Sequence, residues 1–325
     1  MPLQGEGERN SLTTNPFNPP PNPAILYKKS VWRVRLARRS TAPRLEFEAE
    51  AIYQYPEHLR QWLEGLPALP GVYLFHGECE TMPLYIGKSV NLRSRVLSHL
   101  RTPDEAAMLR QARRITFIRT AGEIGALLLE AQLIKQQQPL FNKRLRRNRQ
   151  LCALQLNDDK PTVVYAKEVD FARHAGLFGL FANRRAALQA LQSIADQHQL
   201  CYGLLGLEPL SKGRPCFRSA LKRCAGACCG KESLADHRQR LVSALEQSRV
   251  VCWPWRGPIA LREQGADMAQ YHIIHHWLWL GAVDSLDEAR ELMIAAPGFD
   301  SDGYKILCKP VIGGEYEIID LYEKT

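Results

Sequence analysis

The stretch that decides the fold reads Pro70-Gly71-Val72-Tyr73-Leu74-Phe75 and then, after a polar glycine-containing loop, Pro83-Leu84-Tyr85-Ile86-Gly87-Lys88. Each half is a short β-prone run, and the loop at 76–82 makes the pair a hairpin. Working outward, Ser89 stands where a helix N-cap is expected, and Leu92, Val96 and Leu100 recur at i, i+4 and i+8. Arg95 and His99 then lie one turn apart along the edge of that apolar stripe. Ile115 and Phe117, with the polar Thr116 and Arg119, predict a third strand. A second helix is predicted over 123–138, stopping at Pro139. Hairpin, helix, strand and helix form an α+β unit of about 100 residues, a small antiparallel sheet flanked by helices.

The whole chain has 325 residues, more than one domain's length, and 45% of them are hydrophobic, enough to bury a core. This excludes a collagen-like chain, a mini-protein or a single small module. No apolar run reaches the length a membrane helix needs, so no membrane association is expected. A net charge of +9 favours a polyanionic partner such as nucleic acid. Nine cysteines behind no recognisable secretory leader point to a reducing, cytoplasmic setting, where clustered thiols suggest metal ligation before disulfides. The composition divides the chain into a basic, proline-rich tail (1–44), the α+β unit (45–148), a linker with a cysteine-rich module (149–249) and a small C-terminal region (250–325). In the third segment, strands are expected at 163–166 and 178–181, with helices at 184–198 and 233–247. In the fourth, 271–280 and 304–310 fit helix or strand.

Glu130 is the most informative residue. On the second helix its neighbours at i−4, i−3, i+3 and i+4 are Ala126, Leu127, Leu133 and Ile134, so its carboxylate leaves an apolar face. An unpaired carboxylate there is costly, and Mg²⁺ (or Mn²⁺) is an apt partner. A glutamate paired with a nearby arginine is the plain structural alternative. Tyr73 and Tyr85, on paired strands, are expected to face the helix that carries Arg95. Two phenols, a guanidinium and a metal-bound carboxylate can hydrolyse a phosphodiester. The basic run Arg144, Arg146, Arg147 and Arg149 is a candidate DNA-binding segment.

Gly71-Val72-Tyr73, Tyr85-Ile86-Gly87-Lys88, Arg95, Glu130 and Asn142 follow the order and spacing of the GIY-YIG nuclease pattern. The surrounding sequence resembles UvrC, the nuclease of nucleotide excision repair. The sequence departs from the motif at Val72, where the pattern has isoleucine, a conservative change of core packing. The resemblance implies that Tyr73 and Tyr85 form the catalytic surface, Arg95 meets the phosphate, Glu130 holds the metal, Asn142 supports the site and Lys88 polarises a tyrosine. Either tyrosine can be the base. Residues from Val250 onward are too few for UvrC's second nuclease and paired DNA-binding hairpins, so the likeness is to a short UvrC-like excinuclease. That implies a DNA-repair endonuclease of the SOS response, acting as a monomer. It would make one 3′ incision beside a lesion in damaged duplex DNA loaded with UvrB, with UvrA upstream. The alternatives are a UvrB-independent, structure-specific endonuclease and a non-catalytic DNA-binding module.

Cys201, Cys216, Cys224 and Cys228 are separated by 14, 7 and 3 residues among turn-forming Gly and Pro. Four thiolates suit tetrahedral zinc or a [4Fe-4S] cluster, and reduced structural cysteines are the third possibility. The spacing resembles the cysteine module of UvrC, which implies the cluster. Cys79, Cys152, Cys252 and Cys308 are expected to be buried structural thiols, and His272, His275 and His276 ordinary surface or core histidines.

Overall fold

The computed structural model describes residues 55–79, 82–143, 151–157, 160–210, 214–292 and 299–322. The predicted tail and the run Arg144 to Arg149 lie outside them. Strands β1 (Gly71–His76) and β2 (Pro83–Ser89) form the expected hairpin, and β3 (Arg114–Arg119) joins it to give an antiparallel sheet of order β2-β1-β3. Between β2 and β3 come helices α1 (Leu92–Leu100) and α2 (Ala106–Gln111). The α1 cap is Asn91, whose side chain accepts the Ser94 N–H at 2.9 Å, because Ser89 still belongs to β2. Helix α3 (Glu123–Gln137) follows and ends with Gln138 in the left-handed region, one residue before Pro139.

The central strand β1 is buried on both faces. Tyr73 and Phe75 pack against Leu92, Val96 and Leu100 of α1, whereas Val72, Leu74 and Ile86 meet Leu133 and Ile134 of α3. This is the period-2 alternation of a strand buried on both sides.

The middle region has the sheet β5-β4-β6, built from β4 (Cys152–Asn157), β5 (Lys160–Tyr165) and β6 (Leu177–Phe181). Helix α4 (Arg184–Gln197) packs on it, followed by the short α5 (Tyr202–Leu205) and α6 (Phe217–Ala220) and by α7 (Leu234–Glu246). The C-terminal region forms the sheet β10-β7-β8-β9 from β7 (Ile259–Gln264), β8 (Ala269–His275), β9 (Leu278–Val283) and β10 (Glu317–Asp320). Helices α8 (Ala289–Leu292) and α9 (Ser301–Ile312) lie between β9 and β10. The ambiguous stretch at 271–280 is therefore strand, turn and strand, and 304–310 is helix.

Helix α3 joins the first and last regions. Ile124 and Leu128 pack with Ile259, Leu261 and Trp277 of the C-terminal core, on the side away from the first sheet. Of the scattered cysteines, Cys152 is buried, Cys252 and Cys308 are half-buried, and Cys79 is exposed on the loop after β1, against expectation. Among the described residues no helix is long and apolar enough to cross a membrane.

Candidate active site

Register brings the sequence motif together. Tyr73 pairs with Gly87 and Phe75 with Tyr85, so both tyrosines project from one face of the sheet with ring centroids 6.2 Å apart. Gly87 makes the approach possible, since a Cβ there would stand 2.2 Å from the Tyr73 hydroxyl. From α1, the exposed Arg95 brings its guanidinium near the Tyr73 phenol, where its charge favours the ionised oxygen. From α3, Glu130 Oε1 accepts the backbone N–H of Lys88 at 3.1 Å. Asn142 grips β2 with both ends of its amide, accepting from Ile86 N at 2.9 Å and donating to Ile86 O at 2.8 Å. That buried side chain replaces a neighbouring strand and fixes the segment between Tyr85 and Gly87. The Lys88 ammonium points elsewhere, pairing with Glu123 at 2.5 Å.

The structure adds two residues that sequence reasoning left without a role. His99, nearly fully buried, places Nε2 2.5 Å from the Tyr73 hydroxyl, and its Nδ1 pairs with the Glu105 carboxylate. Because Nδ1–H donates to the carboxylate, Nε2 carries the lone pair that accepts from Tyr73. The available signal was the i+4 spacing from Arg95; Glu105, on the loop after α1, had none.

Electrostatics sort the groups. Burial pushes the Tyr73 phenol far above its ordinary value, reinforced by Tyr85 and opposed by Arg95. Tyr85 is raised as well, chiefly by burial and by Glu130. Burial lowers His99, with Glu105 opposing, so the imidazole is neutral at pH 7. Burial also raises Glu130 above the ordinary carboxylate value, against the Lys88 backbone N–H and the charges of Lys88 and Arg95. Among the described residues nothing donates to Glu130 Oε2. A half-buried carboxylate with one uncommitted oxygen, beside two phenols and a guanidinium, fits a divalent cation.

Both ends of α3 are tied to the C-terminal region. Gly122 offers no side-chain cap, and Glu263 of β7 caps the helix instead, accepting Ile124 N–H at 2.8 Å and Gly125 N–H at 2.9 Å. His272, fully buried, meets the same carboxylate at 3.0 Å. Burial disfavours the Glu263 charge, but His272 and the two N–H groups outweigh it and hold the carboxyl below its ordinary value. At the other end, Lys135 bonds Asp300 at 2.6 Å and Asp302 at 3.0 Å.

The sulfurs of Cys201, Cys216, Cys224 and Cys228 lie within 4.8 Å of one another, the first three buried. Burial raises the Cys201 thiol to about 11, with the neighbouring thiols Cys228 and Cys216 adding to it. The donor set fits a metal centre.

Residues 69–143 match the UvrC-like GIY-YIG domain, 151–247 the UvrC/Cho excinuclease middle domain and 258–325 the excinuclease Cho C-terminal domain. Excinuclease Cho of Escherichia coli K12 is 75% identical over 286 residues, covering 88% of this chain and 97% of the relative. The chain belongs to the UvrC/Cho excinuclease family. Excinuclease Cho of Salmonella typhi is 70% identical over 287 residues, 88% of this chain and 98% of its own. The magnesium-bound GIY-YIG endonuclease domain of Thermotoga maritima UvrC is 34% identical over 26% of this chain and 93% of its own, with a TM-score of 0.24. As a UvrC/Cho excinuclease the protein is a DNA endonuclease of excision repair, a phosphodiester hydrolase.

Proposed function

We propose that this excinuclease makes a single incision, on the 3′ side of a lesion, in damaged duplex DNA loaded with UvrB, with UvrA acting upstream. The Tyr73 cluster would be its one nuclease centre. The observation that carries the chemistry is the chain Glu105–His99–Tyr73 beside Arg95 and Glu130. Glu130 would hold magnesium or manganese, which when bound would supply Lewis-acid polarisation of the scissile phosphate.

The Tyr73 oxygen takes a proton from the attacking water as its own proton passes to His99 Nε2. Glu105 holds the imidazole in the accepting tautomer and stabilises the imidazolium that forms, the logic of a carboxylate-oriented histidine base. Arg95 neutralises charge building on the non-bridging oxygens. The water oxygen bonds phosphorus, the bond to the leaving oxygen breaks, and the leaving alkoxide takes a proton from solvent. Tyr85, raised by burial, stays protonated and donates to the phosphate or the water. Asn142 supports the site through β2. Lys88 would have to leave Glu123 to act on a tyrosine.

The cysteine module is proposed as a structural metal centre with Cys201, Cys216, Cys224 and Cys228 as ligands, read as a [4Fe-4S] cluster from its likeness to UvrC. The sulfur spacing favours a second reading, one zinc ion. With Zn–S bonds of about 2.3 Å, a tetrahedral site sets its sulfurs roughly 3.8 Å apart, whereas a four-iron cluster needs them wider. Whole-protein iron and zinc contents separate the two.

Incubation with end-labelled duplex carrying one bulky adduct tests the main reading. With UvrA and UvrB a single 3′ product on the damaged strand is expected. Incision without UvrB, or release of a short lesion-containing oligomer by this protein alone, would refute it.

A further inference from the structure

Helix α1 has a second face. Arg95 and His99 face the tyrosines, whereas Arg93, Leu97 and Arg101 recur at i, i+4 and i+8 on the outer side. The 3₁₀ turn Glu57–Leu63 lies beside this outer face and leaves a surface cavity of about 390 Å³. Arg60, Arg93 and Arg101 line it, together with the apolar Leu63 and Leu97 and the ring of Tyr55.

Three guanidiniums share this cavity with one carboxylate, Glu57, which pairs with Arg60 at 3.5 Å. Both members of that pair are largely exposed, 73% and 68%, so it binds weakly and exchanges readily with solvent or another anion. Arg93 and Arg101 are exposed, and among the described residues their side chains make no ion pair or hydrogen bond. Their Cα atoms are separated by eight helical residues, a rise of roughly 12 Å, while successive phosphates of one strand climb about 3.4 Å of duplex axis. Guanidiniums so spaced can each meet a different phosphate of one strand. An α-helix with its side chains is about 10 Å across, so the groove lies about one helix width from the Tyr73 centre. A single strand crossing α1 can therefore touch both.

We propose that the groove between the 57–63 turn and α1 is a DNA-backbone site flanking the scissile phosphate. Arg93, Arg101 and Arg60 bind phosphate oxygens, and Tyr55, Leu63 and Leu97 lie against deoxyribose. The contact carries no base sequence and sets how the strand enters the nuclease cleft. Arginine suits this role, because its planar fork meets two phosphate oxygens at once. The inference rests on the Tyr73 cluster being the nuclease centre.

The test uses the full chain carrying Glu130→Gln, so that binding is measured apart from cleavage. Duplex affinity is followed from about 50 to 200 mM salt, with and without Arg93→Ala plus Arg101→Ala. Each phosphate contact contributes a log–log slope of about 0.9, so losing two should lower the slope by about 1.8 and narrow the affinity gap about 12-fold across that range. Arg93→Lys plus Arg101→Lys should restore most of the slope, and unchanged denaturation midpoints would show that the alanine variant folds. An unchanged slope in a folded alanine variant overturns the proposal. Inorganic phosphate is the second probe: thermal stabilisation lost in the alanine variant, with the DNA slope intact, would make the groove a free-anion site and also overturn it. Cleavage by the Glu130→Gln protein would instead overturn the nuclease-centre reading, leaving the slope measurement to judge the groove.

Discussion

Replacing Glu263 by alanine should loosen a helix that lies 139 residues earlier in the chain. Glu263 is 4% exposed and accepts two backbone N–H groups at the start of α3 while meeting the buried His272. Hydrogen bonds to a charged group contribute about 1.5–3 kcal/mol each, and losing a side-chain cap costs about 1 kcal/mol. These terms overlap, and His272 is left buried beside a void. The expected cost is thus about 3–5 kcal/mol, near the sum of two hydrogen bonds to a charged carboxylate. That is a large part of the 5–15 kcal/mol available to a folded protein. Gly122 and Gly125 show how closely the parts fit: a Cβ on Gly122 would stand 2.3 Å from Glu263 Oε1, and one on Gly125 2.9 Å from His272 Cε1. The assay is denaturant unfolding combined with amide exchange over residues 121–130, where protection should fall first. Since the Glu263 pKa is depressed in the folded state, its contribution is full above the ordinary carboxylate value and is lost as pH falls through the folded value. The stability gap between wild type and Glu263→Ala should therefore shrink on acidification. A change under about 1 kcal/mol, or undiminished protection at the start of α3, would refute the capping argument.

Glu130→Gln should keep the fold and DNA binding but slow incision at least about 100-fold, near 3 kcal/mol of barrier, because the amide cannot supply the anionic oxygen the metal needs; wild-type rates would remove Glu130 from the site. His99→Ala should slow the chemical step by about 10²–10⁴, the usual contribution of a general base. Burial lowers His99 below its ordinary value and the protonated imidazole cannot act as acceptor, so the wild-type single-turnover rate should climb as pH rises through that lowered value and flatten above it. His99→Ala should lose that dependence, and an unchanged profile would exclude His99 as the proton acceptor. Cys216→Ser or Cys224→Ser should release bound metal and lower the melting temperature, measured by elemental analysis and calorimetry, while Cys79→Ser, at an exposed loop position, should do neither.

By itself the sequence determined the parts whose signals are local. A strand alternates with period two and a helix with period near 3.6, so the hairpin, α1, β3 and α3 could be placed from side-chain pattern alone. Tyr73, Tyr85, Arg95 and Glu130 follow from those placements because each has a defined face. The four cysteines were legible for a similar reason, being close in the chain and bracketed by turn residues. What a face meets is a different matter, because periodicity reports that a side is apolar or polar and not which distant segment covers it. Glu105 became part of the site only when the loop after α1 brought it to His99. Asn142 took its particular role only when the chain returned along the open edge of β2. Strand β4 escaped notice, and 271–280 read equally as helix or strand, since pairing with β4's neighbours and with β7 decides both. Helix α3 is the clearest case. Its sequence shows an apolar helix bearing one carboxylate, but only the tertiary structure places a second sheet behind it, with Glu263 supplying the cap that Gly122 lacks. Hydrogen bonds between residues so far apart leave no periodic trace, because they depend on where the chain is carried and not on what stands beside it.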